Sequence, residues 1–194
     1  MIQKDELISF EEEIKDLFLD TKIRSPVHLS GGNEDQLVNI FKDVKKDDWV
    51  FSTHRSHYHA LLKGVDKKWL KKEIIENRSI HIYNKEHNFF SSAIMAGVIP
   101  IAVGTALALK RKKSKNKVWV FVGDMTAEMG IFHECSKYSG GHDLPIIFVI
   151  EDNGLSVDTP TQKVWGESGK KAKIIKYKYE RKYPHQGCGI WVTF

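Results

Sequence analysis

Near the start of the chain, apolar residues recur at intervals of three and four. Leu7, Phe10, Ile14, Leu17 and Phe18 form one stripe and predict an amphipathic helix within residues 2–19. The pattern breaks at Ser25-Pro26 and again at Ser30-Gly31-Gly32. Asn33 can cap a second helix running to about Lys42, with Leu37, Val38 and Phe41 on its inner face. Trp49-Val50-Phe51 is a short apolar run that reads as a strand delivering the polar segment 52–59, and residues 59–64 and 66–76 read as helix around Gly64-Val65-Asp66. Between Ser91 and Leu109 nearly every position is apolar or small, and Ala93, Ala96, Gly97, Gly104, Ala106 and Ala108 let another backbone come close. A helix apolar all round is buried on all sides, so this one is expected both in the core and at a subunit interface. Pro100 would fall in its early turn, where a missing N–H matters least. Val118–Val122 is too short and too apolar for a surface helix and reads as a strand buried on both faces, as in a parallel sheet. Residues 126–139 then fit a helix, and Pro145–Ile150 is a second strand of the same kind. Strand, helix, strand makes a right-handed crossover, adjacent or one strand apart. The expected fold is α/β with a mainly parallel sheet, one domain over residues 1–194, opened by a helix within 1–20 and closed by an atypical basic tail over 162–194.

Composition narrows this picture. The chain has 194 residues, 41% hydrophobic and 28% charged, a globular balance that excludes a fibrous repeat. No run of eighteen apolar residues occurs, so no membrane is expected as partner, and the early charges from Lys4 onward are unlike a secretory signal. Two cysteines, Cys135 and Cys188, read as free thiols in a reducing cytoplasm. The net charge of +5 gathers in two knots, Lys110–Lys117 and Lys170–Lys182. Such patches can attract nucleic acid, acidic lipid or acidic protein. Without an accompanying nucleic-acid motif they read as solvated loops and a cation-favouring helix C-terminus, so no nucleic acid is expected.

In open parallel sheets, ligands bind beyond the C-terminal ends of the strands. Asp124 follows the first apolar strand within Gly123-Asp124-Met125, and Asn153 follows the second within Glu151-Asp152-Asn153-Gly154. Each dipeptide alone reads as a turn. Separated by strand, helix and strand, they bring a carboxylate and an amide oxygen to one sheet edge. Hard oxygen donors of this kind suit Mg²⁺, which completes its octahedron with water and phosphate. The helix after Asp124 would aim its free N–H groups at the same phosphates. His57 and His59, two apart, raise zinc, but no cysteine pair or third ligand at good spacing supports it.

The stretch from Gly123-Asp124-Met125 through Glu128 and Cys135 to Asn153-Gly154-Leu155 resembles the thiamine-diphosphate motif, which opens Gly-Asp-Gly and closes Asn-Asn. More narrowly, the chain resembles the alpha subunit of the decarboxylating component of 2-oxo-acid dehydrogenases, of the pyruvate or acetoin type. Three further pieces agree in order: Val27-His28-Leu29 through Glu34, Ser52-Thr53-His54-Arg55-Ser56-His57, and Asn88 through Pro100. The resemblance covers about residues 5–160 and implies the three-layer thiamine-diphosphate-binding fold. It further implies that Asp124, Asn153 and the Leu155 carbonyl bind Mg²⁺, and that Arg55 and His54 meet the diphosphate. Gly123, Met125 and Thr126 would line the cofactor site, and backbone around Ala93 and Met95 would hold the aminopyrimidine. His28 would lie near the diphosphate or the reacting centre as a catalytic candidate, though a structural histidine fits equally.

The same resemblance implies a heteromeric enzyme acting on a 2-oxo acid. In it, a beta-type subunit supplies the pyrimidine-side glutamate and an acyl-carrier protein can dock, while this chain alone anchors the cofactor and is inactive. Met125 replaces a glycine, His54 replaces a tyrosine and Asp152 replaces the first asparagine of that pattern, and Glu128 departs from its pyruvate-type form. Forty-one residues follow Asn153, fewer than in the family's alpha subunits, and Tyr183-Pro184-His185 is no replacement for their His-Gly-His-Ser loop. The expectation is a minimal or split subunit, or a fragment. A non-catalytic module of the same fold and a transketolase-like half-subunit are the alternatives.

Overall fold

The computed structural model describes residues 2–167, 169, 172–178 and 180. Its centre is a five-stranded sheet in the order β2-β3-β1-β4-β5, built from β1 (Trp49–Ser52), β2 (Tyr83–Asn84), β3 (Phe89–Ser91), β4 (Val118–Gly123) and β5 (Ile146–Glu151). All neighbours are parallel except β2 against β3. A small hairpin of β6 (Leu155–Ser156) and β7 (Thr159–Pro160) follows β5. The crossover strands β4 and β5 are direct neighbours, with Gly123 opposite Glu151.

Helices cover both faces. On one face, α1 (Lys4–Leu19) buries Leu7, Phe10 and Ile14, and α2 (Glu34–Ile40) buries Leu37. With α3 (His57–Leu62) and α4 (Lys67–Ile75) they close a core around Val50, Tyr58, Leu70, Phe89 and Phe121. The amphipathic stripe is right up to Ile14, but Phe18 is 47% exposed, beyond where α1 meets the core. Asp66 caps α4 by accepting from the Trp69 N–H at 2.8 Å. Asn33, expected to cap α2, makes no side-chain cap there and reaches Glu151 instead. Buried Asp48 pins the approach to β1, accepting from Lys117 N at 2.7 Å and Trp119 Nε1 at 3.1 Å.

On the other face, α5 (Val98–Arg111) and α7 (Gly130–Gly141) pack over Phe51, Val118, Val120 and Val122. Three expectations change here. The apolar segment 91–109 is not a single enclosed helix: it begins as the end of β3, turns at Ala96 (φ 59°), and only then becomes α5. A Cβ on Gly97 would lie 2.9 Å from Ile94 Cγ2, so any larger residue there would force Ile94 to shift. The helix itself is two-sided. Val98, Ile99, Ala102, Val103 and Ala106 face the sheet, whereas Pro100, Ile101, Gly104 and Ala108 are exposed. The helix after Asp124 is also split, into the single turn α6 (Asp124–Ala127) and the longer α7, because Met129 is extended (φ −71°, ψ 145°). Helix-end charge at Asp124 therefore comes from one turn only. Finally, β5 is an edge strand, and its residues are half-exposed or exposed rather than buried on both faces. Lys110 and Arg111 do sit in the last turn of α5, where the helix dipole favours them. Of the basic tail, Lys170, Lys171, Arg181 and Lys182 lie outside the described residues, as do His185 and Cys188. No helix among the described residues is long and apolar enough to cross a membrane.

Candidate functional site

Beyond the C-terminal ends of β1, β4 and β5 the polar segments gather. The chain leaving β1 carries His54 and Arg55 and meets the loop that precedes α2. The rings of His28 and His54 stand edge to face with centroids 4.4 Å apart. The Arg55 guanidinium donates to the Leu29 carbonyl at 2.7 Å and is otherwise turned to solvent. Burial, the neighbouring His28 and the Arg55 charge push the His54 imidazole down to about 4. Burial and Arg55 also lower His28. At neutral pH both rings are neutral, and Arg55 is the permanent cation of the group. Its fork of donors suits phosphate oxygens.

Below this group lies a set of buried histidines. His57 is fully enclosed, its Nδ1 3.2 Å from Glu11 Oε1 and its Nε2 2.9 Å from Ser79 Oγ. This Ser-His-Glu chain has the connectivity of a hydrolytic triad, but with Ser79 at 0% and Glu11 at 4% exposure no substrate reaches it. It ties α1 to α3. Tyr58 donates to Glu34 Oε1 at 3.1 Å, and Glu34 also accepts from the Gly32 N–H. His59 stacks on Phe121 at 4.3 Å. Its Nδ1 lies 2.8 Å from Ser52 Oγ, and its Nε2 lies 3.2 Å from Glu151 Oε1. Asn33 donates to the same carboxylate oxygen at 2.9 Å. Each of the two histidines weighed as zinc ligands is therefore engaged in its own hydrogen bonds.

The β4–β5 side holds the oxygen donors. Asp124 opens α6 and is 8% exposed. Its Oδ2 accepts from the Thr161 hydroxyl. Thr161 opens α8 (Thr161–Trp165), and its backbone N–H donates to the Gly154 carbonyl at 3.0 Å. The loop after β5 is thus two hydrogen bonds from Asp124. In that loop the Asp152 and Asn153 side chains each accept a backbone N–H two residues on, at 2.9 and 3.0 Å, in Asx turns. The Asn153 side chain is exposed. Its amide oxygen keeps a second lone pair. Met125 is helical, so no glycine conformation is needed there, and its sulfur turns to the Trp165 indole N–H at 3.1 Å. Thr126 donates to Met95 Sδ at 2.7 Å, joining the segment before α5 to α6, and Ala93 N lies 3.4 Å from His81 Nδ1. The groups on this side, a carboxylate, an amide oxygen and main-chain carbonyls, are all oxygen donors, the chemistry that fits Mg²⁺. Arg55, beyond the C-terminal end of the neighbouring strand β1, is a cation of the kind that suits phosphate.

His28, His54 and Arg55 lie together beyond β1, Thr126 meets Met95, and Thr161 links Asp124 to the loop of Asn153 and Leu155. Sequence spacing does not single out Glu151, His59 or Thr161 as organisers. Glu151 stands within the strand-loop motif and His59 beside His57 as a zinc candidate, but nothing in their spacing shows that register places Glu151 against α3.

The family model described as Dehydrogenase E1 component matches residues 3–173. The chain is similar to the alpha subunit of acetoin:2,6-dichlorophenolindophenol oxidoreductase of Bacillus subtilis (strain 168), 32% identical over 165 residues, which are 80% of this chain and 50% of that protein. It is 34% identical over 161 residues to the chloroplastic pyruvate dehydrogenase E1 component subunit alpha-3 of Arabidopsis thaliana, covering 75% of this chain and 38% of that protein. The pyruvate dehydrogenase E1 component subunit alpha of Porphyra purpurea is 33% identical over 166 residues, 77% of this chain and 48% of that one. The chain spans about half the length, or less, of these curated relatives.

Proposed function

This chain belongs to the Dehydrogenase E1 component family, and on that premise we propose that it anchors magnesium-bound thiamine diphosphate as the alpha-type part of a heteromeric enzyme that decarboxylates a 2-oxo acid. The observation that carries the reading is the two-bond link through Thr161, which holds the Asp124 carboxylate beside the loop of Asn153 and Leu155. In this reading Asp124, Asn153 and the Leu155 carbonyl hold Mg²⁺. Arg55 pairs with the diphosphate, and His54 offers a neutral ring N–H beside it. Backbone around Gly123 and Thr126 closes on the phosphates, while Ala93 and Met95 border the aminopyrimidine.

When bound, thiamine diphosphate would supply a nucleophilic ring carbanion and a cationic thiazolium ring able to take up the electron pair left by departing CO₂. The work of this chain is positional. Buried His59 and half-buried Glu151 hold the ends of β1 and β5 together, so that Arg55 and the Asn153 loop stay in fixed relation. His28, kept neutral by burial and Arg55, would be able to accept or pass a proton at its ring nitrogen, beside the diphosphate or the reacting centre. A beta-type subunit supplies the glutamate facing the pyrimidine. The exposed face of α5 (Pro100, Ile101, Gly104, Ala108) is the surface that meets it. An acyl-carrier protein can dock on the assembled enzyme and take the product.

Calorimetry of thiamine diphosphate with Mg²⁺, with and without a beta-type subunit, tests the reading. Binding that requires Mg²⁺ and is lost on Asp124→Ala is the expected result. Turnover of a 2-oxo acid by this chain without any partner would contradict the anchoring role.

A further inference from the structure

Thr161 lies outside every motif that carries the family resemblance, yet it makes the two bonds that join the halves of the proposed metal site. Its hydroxyl donates to Asp124 Oδ2, and its N–H donates to the Gly154 carbonyl at 3.0 Å. Four residues on, Trp165 at the end of α8 donates to Met125 Sδ at 3.1 Å, so both ends of this short helix grip α6. A threonine opening a helix would ordinarily turn its hydroxyl to its own backbone; this one is spent on a carboxylate thirty-seven residues earlier. With Oδ2 engaged, the Asp124 carboxylate is fixed in rotation and Oδ1 remains to meet an ion.

We propose that Thr161 is a positioning residue for magnesium: it orients the Asp124 carboxylate and tethers it to the Asn153–Leu155 loop. The proposal rests on the cofactor reading above and adds a residue to it. Hydroxyl and amide groups that hold metal-ligating carboxylates commonly govern affinity by about 10- to 100-fold when removed.

The test titrates Mg²⁺ into the full chain at saturating thiamine diphosphate, alone and with a beta-type subunit, and follows binding by calorimetry. Thr161→Val keeps the branched shape and loses the hydroxyl; its Mg²⁺ affinity falls about 10- to 100-fold. Thr161→Ala, a different change of shape, falls with it. Thr161→Ser keeps the hydroxyl and restores affinity to within about threefold, a rescue that a merely structural threonine would not produce. Unchanged or tighter Mg²⁺ binding by both hydroxyl-free variants overturns the proposal, and so does a serine variant as weak as the valine one. If Asp124→Ala abolishes binding while the Thr161 variants leave it intact, the cofactor reading stands and Thr161 has no part in it. If the unsubstituted chain shows no Mg²⁺-dependent binding, both fall together.

Discussion

On the β1 side of the sheet's C-terminal rim, His57, Ser79 and Glu11 are enclosed and both imidazole nitrogens are engaged. On the β5 side, Asp152 and Asn153 are exposed and accept hydrogen bonds from the turn that carries them. The first arrangement uses polar groups to fix the fold. A buried, partnered imidazole is costly to disturb because its neighbours would be left without partners. The second keeps oxygen donors near water, where they can exchange a solvent molecule or a turn contact for an ion. The same residue types thus serve opposite ends according to burial: structure where water is excluded, ligand capture where it is admitted.

That contrast can be broken by substitution. Phe10→Ala, in the closed half and at 0% exposure, lowers the unfolding free energy by about 3–5 kcal/mol, read from the denaturant midpoint. His57→Ala in the same half costs about 2 kcal/mol, because Glu11 and Ser79 each lose a buried partner. At the border between the halves, His54 contributes a pH dependence. Its folded value of about 4 lies below the usual 6.5, so the unfolded chain takes up the proton first. Stability is therefore lost as pH falls from about 6.5 toward about 4, on the order of 1 kcal/mol for a partly exposed ring. Thermal melts of His54→Asn flatten in that window relative to the unsubstituted chain. In the open half, Asn153→Ala changes stability by no more than about 0.5 kcal/mol while Mg²⁺-dependent binding of thiamine diphosphate falls. A large melting shift in this last variant would erase the distinction between the halves.

Much of this architecture was legible in the sequence, for identifiable reasons. The runs ending at Val122 and Ile150 are too short and too apolar to be anything but strands, and each hands a polar residue to the sheet edge, so Asp124 and Asn153 could be paired before any coordinates. The stripe of α1 follows from spacing alone. What stayed hidden depends on tertiary register. β2, β6 and β7 are two residues long and carry no period. Phe89–Ser91 runs into the apolar stretch that follows, and its last residue, Ser91, falls inside the segment expected to be helical. The exposed side of α5 looks apolar in sequence whether it meets the core or a partner. The parts played by Glu151 and Thr161 come from the pairing of β4 with β5 and from the hairpin that folds α8 back over α6; neither residue announces its distant partner by spacing.

The position of β5 has a practical consequence for anyone handling the protein. Its outer row of N–H and C=O groups has no pairing strand among the described residues, and Ile146–Ile150 is an apolar run without proline or charge. Such a border seeds growth by strand addition, one molecule onto the next. Concentrated samples will tend to clump through it, and a lysine introduced at Ile150, already 48% exposed, is the simplest way to keep them dispersed.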